Sequence, residues 1–194
     1  MAAVSITTQF LRRPLTTGAV AASSRRLAAA MTRDIGLEEA RLVVELGPGT
    51  GVFTEAVLRR IPPTARLVAI ELNAHLADRL AATHRDERLT VVHGSAADLA
   101  GLVDGPVDAV VSGLPWTVMP ARTRDHTLDA VAKSLAPGGR FTTFAYTHAA
   151  WTPPGRALAA ALRDRFPIVE RTRTVWPNLP PAFVHRARAA LRRP

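Results

Sequence analysis

The sequence predicts an α/β fold: a mostly parallel seven-stranded sheet, helices on both faces, and an antiparallel hairpin at the C-terminal end. Three observations predict it. From Arg41 onward, short β-rich apolar runs alternate with longer runs of helical spacing. A turn carrying Gly47, Gly49 and Gly51 joins the first such run to the first helical one. The last two β-rich runs are joined by "PNLPP", too short for the crossover that parallel neighbours need. With 194 residues, 47% hydrophobic and 21% charged, the chain fits one ordinary domain with a real core and has no room for a second large one.

The elements follow in order. "RLVVEL" (41–46) reads as a strand and "GVFTEAVLRRI" (51–61) as a helix stopped by Pro62-Pro63. "RLVAIEL" (66–72) is the next strand, and "NAHLADRLAATH" (73–84) a helix with Leu76, Leu80 and Ala81 on one side. "LTVVHG" (89–94) and "VDAVVSG" (107–113) are strands, and "TRDHTLDAVAKSLA" (123–136) is helical. The turn Pro137-Gly138-Gly139 introduces the strand "GRFTTFAYT" (139–147). After the helix "GRALAAALRDRF" (155–166), the runs 168–176 and 182–191 form the hairpin. Residues 1–40, rich in Ala, Ser, Thr and Arg, stand apart as a helical N-terminal segment before the domain at 41–194.

Charge and composition narrow the chemistry. There are 25 Lys+Arg against 16 Asp+Glu, a net +9, and Lys133 is the only lysine. That fits a codon bias toward arginine or a basic surface for an anionic partner, where guanidinium forks suit phosphate. Cysteine is absent, which excludes disulfides, thiolate metal sites and a cysteine nucleophile. The six histidines show no metal-ligand spacing, so no metal is expected. No apolar run reaches the roughly 18 residues that span a bilayer, and the N-terminus lacks the pattern of a signal peptide; the sequence reads as cytoplasmic.

The glycine turn is the most informative stretch. Glycines permit tight geometry and let a ligand approach the backbone. In Glu45-Leu-Gly-Pro-Gly-Thr-Gly51 the third glycine follows the second by two residues, where the dinucleotide fingerprint has three. The spacing resembles instead the first motif of class I methyltransferases, "E/D-x-G-x-G-x-G", whose fold is a Rossmann-like seven-stranded sheet of the kind deduced above. The resemblance implies that the turn cradles the amino-acid part of S-adenosylmethionine, with Glu45 holding its ammonium. Glu71, 20 residues after Gly51, stands where a carboxylate accepts the ribose hydroxyls. Asp98 in "GSAADL" would accept from the adenine amine beside the backbone at Ala97; an exposed helix cap is the plainer alternative for Asp98.

"SGLPW", Ser112 to Trp116, follows the fourth strand, where amino-methylating enzymes carry an "N/D/S-P/L-P-Y/F/W" tetrad. Aligned with it, the tetrad is Gly113-Leu114-Pro115-Trp116, without its leading polar side chain, and Ser112 is left on the cofactor side. The carbonyls of Gly113 and Leu114 then orient an amine, and the gap favours a flexible aliphatic amine over a flat base. Trp116 and Tyr146 would shield its cation through π contact, with core packing the alternative for Trp116. His148 would take a proton or meet a phosphate, with a solvated loop histidine the alternative. Asn178 would close the site or contact a headgroup, with a turn-forming role the alternative.

"FLRRPLTTGAVAASSRRLAAAM", "VVELGPGTGVFT", "DAVVSGLPW", "LAPGGRFTTFAYT" and "VWPNLPPAFVHRAR" together resemble the bacterial phospholipid N-methyltransferases of the membrane-associating type, over nearly the whole chain. The resemblance implies stepwise methylation of phosphatidylethanolamine and peripheral association with an anionic membrane surface. Ala22-Ser23-Ser24, where the family often has "PSS", and His185, where it often has an aromatic, depart from the pattern and bear on the substrate. Val4, Ile6, Phe10 and Leu11 fall within roughly 160° of a helical wheel, as an interfacial helix or a lid over the cleft requires. Arg25, Arg26, Arg186, Arg188, Arg192 and Arg193 would add attraction to anionic lipid. Other acceptors stay open: an RNA adenine N6, a small-molecule amine, or none in a non-catalytic protein that only binds the cofactor.

Overall fold

A computed structural model describes residues 23–191. Seven strands form one sheet in the order β3-β2-β1-β4-β5-β7-β6. They are β1 (Leu42–Leu46), β2 (Arg66–Glu71), β3 (Leu89–His93), β4 (Val107–Ser112), β5 (Leu135–Tyr146), β6 (Ile168–Arg171) and β7 (Ala182–Arg188). The first five are parallel, and β7 runs antiparallel to both β5 and β6. The helices are α1 (Arg25–Thr32), α2 (Val52–Leu58), α3 (Ala74–Thr83), the short α4 (Leu99–Leu102), α5 (Ala121–Ser134) and α6 (Pro153–Arg165).

β1 is an interior strand buried along its whole length, which is why it reads as an apolar run interrupted only by Glu45 rather than as an alternation. Two cores lie on its faces. Val44, Leu46, Val110, Phe141, Trp116, Leu128 and Leu158 fill one with α5 and α6; Val43, Phe53, Val57, Val111 and Val184 fill the other with α1 and α2. Leu27, Met31, Ile35 and Leu37 are buried in that second core, so the described part of the N-terminal segment packs onto the sheet. Ser24 caps α1 by accepting from Leu27 N, 3.1 Å.

Several boundaries differ from the sequence reading. β5 begins at Leu135, before the Pro-Gly-Gly turn, and its pairing with β4 shifts register between Val107 and Ala109. β6 ends at Arg171 instead of 176: Thr172 Oγ1 takes the bond from Val184 N, 3.0 Å, and pairing returns only at an isolated bridge between Val175 and Ala182. α4 and three 3-10 turns had no periodic signature. The amphipathic stretch at Val4–Leu11, with Arg192 and Arg193, lies outside the described residues. Arg186 is not free for a membrane: it pairs with Asp34, 3.2 Å, and donates to Ala30 O, 3.2 Å. Among the described residues no helix is long and apolar enough to cross a membrane.

Candidate active site

The carboxyl ends of β1, β2, β4 and β5 bring most of the predicted site residues to one edge. Gly47, Gly49 and Gly51 all have left-handed backbone, φ 67°, 55° and 85°. A Cβ at Gly51 would stand 2.5 Å from the His84 ring and 2.8 Å from Leu80, whereas Gly49 faces open space. The turn is clamped to its neighbours. Gly47 N donates to Ile70 O (2.9 Å), and Gly49 N to Glu71 Oε2 (3.2 Å). Glu71 Oε1 accepts from Asn73 N, 3.0 Å, and backbone bonds hold both oxygens of this carboxyl. Burial raises the Glu71 carboxyl above its usual range, opposed by these backbone bonds.

Glu45 is fully enclosed beneath the turn. Its Oε2 accepts from Thr54 Oγ1 at 2.6 Å, and its Oε1 is buried without a partner. Desolvation raises its pKa to about 8, the Thr54 bond opposing and the nearby Glu71 adding to the shift. At neutral pH this carboxyl is mostly protonated. Glu45 has no exposed surface, so a grip on an ammonium would have to reach it through the turn above. Thr54, which no motif marked, is the group that holds it; a hydroxyl one helical turn into the helix after the glycines was the available signal.

The acceptor loop lies against the glycine turn. Gly113 N donates to Leu46 O at 2.8 Å, and a Cβ at Gly113 would come within 2.6 Å of Gly47 O. That contact explains the missing polar side chain: there is no space for one. The Leu114 carbonyl already accepts from Trp116 N, 3.0 Å, and keeps one lone pair. Ser112 is buried, and its Oγ accepts from Leu114 N (3.3 Å) and Trp116 Nε1 (3.1 Å). Its hydroxyl oxygen is engaged in shaping the loop. Trp116 is 2% exposed and meets Phe141 edge-on at 6.1 Å. Its ring is core, the plainer of the two roles weighed for it, and it turns no open face to a substrate.

Tyr146 occupies the other face of the rim. It is half-buried, meets Phe144 edge-on at 5.5 Å, and Phe144 in turn meets Phe53 at 6.0 Å. The ring of Phe53 lies 3.4 Å from the Cβ position of Gly113, so an aromatic row runs from the acceptor loop to Tyr146. Phe53 and Phe144 escaped the sequence reading, although Phe144 shares the face of Tyr146 two residues on. The exposed His148 stacks on Tyr146 at 5.7 Å. Asn178 is 4% exposed: Oδ1 accepts from Ser24 N (2.9 Å) and Nδ2 donates to Pro180 O (2.7 Å). It ties the start of α1 to the β6–β7 loop, and its burial leaves little of it open to a headgroup. Asp98 is exposed and its side chain makes no capping bond, which removes the helix-cap alternative; Ala97 N is held by Ser95 Oγ, 3.2 Å.

Residues 43–139 match the family described as "Methyltransferase domain". An ornithine lipid N-methyltransferase from Singulisphaera acidiphila is 32% identical over 69% of this chain and 72% of its own. The chain belongs to the class I S-adenosylmethionine-dependent methyltransferases. A ribosomal RNA small subunit methyltransferase A from Leifsonia xyli subsp. xyli is 37% identical over 45% of this methyltransferase, which spans only 32% of that relative. The fold matches an O-methyltransferase family protein from Burkholderia thailandensis with a TM-score of 0.67 at 18% identity, over 86% of this chain and 56% of that one.

The residues fit the methyl donor. A left-handed glycine turn with open space at Gly49, a two-oxygen acceptor at Glu71 and an orphaned buried oxygen at Glu45 suit a zwitterionic nucleoside. The turn would hold the amino-acid end, Glu71 the ribose, and Ala97 and Asp98 the adenine. Bound there, S-adenosylmethionine supplies a methyl group on a positively charged sulfur.

Proposed function

We propose that this methyltransferase methylates the primary amine of a lipid headgroup, phosphatidylethanolamine or an amine-bearing lipid such as ornithine lipid, as a peripheral enzyme at an anionic membrane surface in the cytoplasm. The observation that carries the reading is the acceptor loop. Gly113 is held without a side chain by the Gly47 carbonyl, so nothing there can grip the edge of a base, while backbone carbonyls remain to accept from an ammonium or amine. Hydrogen bonds from the amine aim its lone pair into the donor turn, which is the orientation that displacement needs. The Phe53–Phe144–Tyr146 row provides ring faces for the developing cation. Burial raises the pKa of Tyr146, so it stays a neutral phenol through the reaction. The lipid-acting relative also aligns with most of both chains.

The test is incubation with labelled S-adenosylmethionine and liposomes containing phosphatidylethanolamine or ornithine lipid, followed by chromatography of the lipid fraction. Label in a lipid, lost in Glu71→Ala, is the expected result. The second reading is RNA adenine N6 methylation, favoured by the 37% identity to the ribosomal RNA enzyme within the domain. Label in RNA with none in lipid would put that reading in place of the first.

A further inference from the structure

Six large apolar side chains are exposed among the described residues, and four stand on the edge that carries the acceptor loop. They are Val118 at 53%, Trp151 at 78%, Trp176 at 74% and Leu179 at 82%. Val118 is on the loop after β4, Trp151 on the 3-10 turn after β5, and Trp176 and Leu179 on the β6–β7 loop. The last two loops are joined: Thr147 N donates to Pro181 O at 2.9 Å, and Ala182 pairs with Tyr146. Two tryptophans and two aliphatic residues left in water beside a site mark a surface for a partner.

Charge identifies the partner. The stretches 113–120, 147–156 and 172–181 contain no Asp or Glu, while Arg122, Arg156 and Arg173 are exposed in or beside them. None of these three arginines forms a salt bridge with a described residue. Tryptophan amid arginine and without acids suits the headgroup region of an anionic bilayer, where indoles settle between water and acyl chains and each arginine meets lipid phosphate. Single-stranded RNA would also stack on indoles, but Val118 and Leu179 have no flat face to offer a base.

We propose that the three carboxyl-edge loops are a bilayer-docking face, with Trp151, Trp176, Leu179 and Val118 entering the interface and the arginines contacting anionic headgroups. This proposal rests on the lipid reading of the acceptor site and adds where the membrane lies. The acceptor mouth, between Gly113 and Tyr146, then opens toward the lipid, and a headgroup amine reaches it without the lipid leaving the bilayer. Docking by these loops is separate from any contribution of residues 1–22.

Tryptophan fluorescence tests it, since the chain has three tryptophans and Trp116 is buried. Trp151→Phe and Trp176→Phe each leave one exposed indole. With vesicles of 70% phosphatidylcholine and 30% phosphatidylglycerol, the remaining indole should shift to the blue and be quenched by brominated acyl chains. Trp151→Ala/Trp176→Ala/Leu179→Ala should weaken vesicle binding by at least about tenfold. It should leave methylation of a monomeric dihexanoyl substrate analogue unchanged. Vesicle binding without quenching of either indole, or binding untouched by the triple substitution, overturns the docking face; so does an RNA gel shift lost in the triple variant with no vesicle binding. Should the triple variant melt early, the two Phe variants decide alone. Vesicle binding through these indoles with no methylation of any lipid amine would instead sink the lipid reading and leave the docking face standing. Methylation of the dihexanoyl analogue without vesicle binding does the reverse.

Discussion

Glu45 and His185 give the protein a pH dependence of opposite signs. Burial raises Glu45 to about 8, so the folded state holds a proton there that the unfolded chain has released. Its stabilising effect is complete below the ordinary carboxyl range and is lost as pH rises through about 8. His185 is lowered to about 4 by burial and by Arg171 and Arg163, so its effect is present above about 6.5 and is lost as pH falls toward 4. Between pH 6.5 and 8 Glu45 acts without His185, and Glu71 is shifted in the same direction as Glu45. The melting temperature of the ligand-free protein should fall across that window, and Glu45→Gln, which keeps an acceptor for Thr54, should flatten the fall. A cation at the turn favours ionised Glu45, so donor binding at pH 7 should release a proton. Calorimetry in buffers of different ionisation enthalpy reads it. Trp116 belongs to stability: Trp116→Ala should cost about 3–5 kcal/mol in denaturant titrations, as removal of a large buried aromatic does.

At the level of elements, the glycine turn and the acceptor loop stand or fall together. Gly113 has no left-handed backbone to excuse it; its side chain is excluded by Gly47 O. Gly113→Ala should therefore displace the loop from the turn and weaken S-adenosylmethionine binding, by about tenfold or more in calorimetry, with little change in helical content. The alternation of apolar runs and helical spacing made β1 to β5 and the hairpin legible, because each core strand must be apolar and each crossover must be long enough to return. Glu71 and the three glycines were legible for the same reason, since backbone geometry dictates their spacing. The rest was not local. The end of β6 depends on Thr172 Oγ1 replacing a strand bond, and the fate of Trp116 depends on Phe141, 25 residues away in sequence and edge-on to it in space. Ser112 and Asn178 read as ligand contacts because polar side chains at loop ends often are; Ser112 is engaged within its own loop by Trp116 Nε1, whereas the partner of Asn178, Ser24 N, comes from the far end of the chain.

Across the whole molecule, one amide joins the two ends of the fold. Asn178 links the cap of α1 to the loop that carries Trp176 and Leu179, and α1 itself seals the core beside β7 through Leu27 and Met31. Asn178→Ala leaves a part-buried Ser24 N–H and the Pro180 carbonyl unmatched and should cost about 1–3 kcal/mol in thermal or chemical unfolding. It should loosen the β6–β7 loop, seen as faster amide hydrogen exchange at residues 172–181, while β1 and β4 stay protected.

The contact between Gly47 and Gly113 also sets an order of events. The donor turn and the loop after β4 share this wall, so a donor seated on the turn would also brace the mouth beside it. If a seated donor completes the mouth, the acceptor should enter second and its product should leave first. Initial-rate kinetics should then show the demethylated nucleoside competing with the donor and not with the acceptor, the pattern of a compulsory-order sequence.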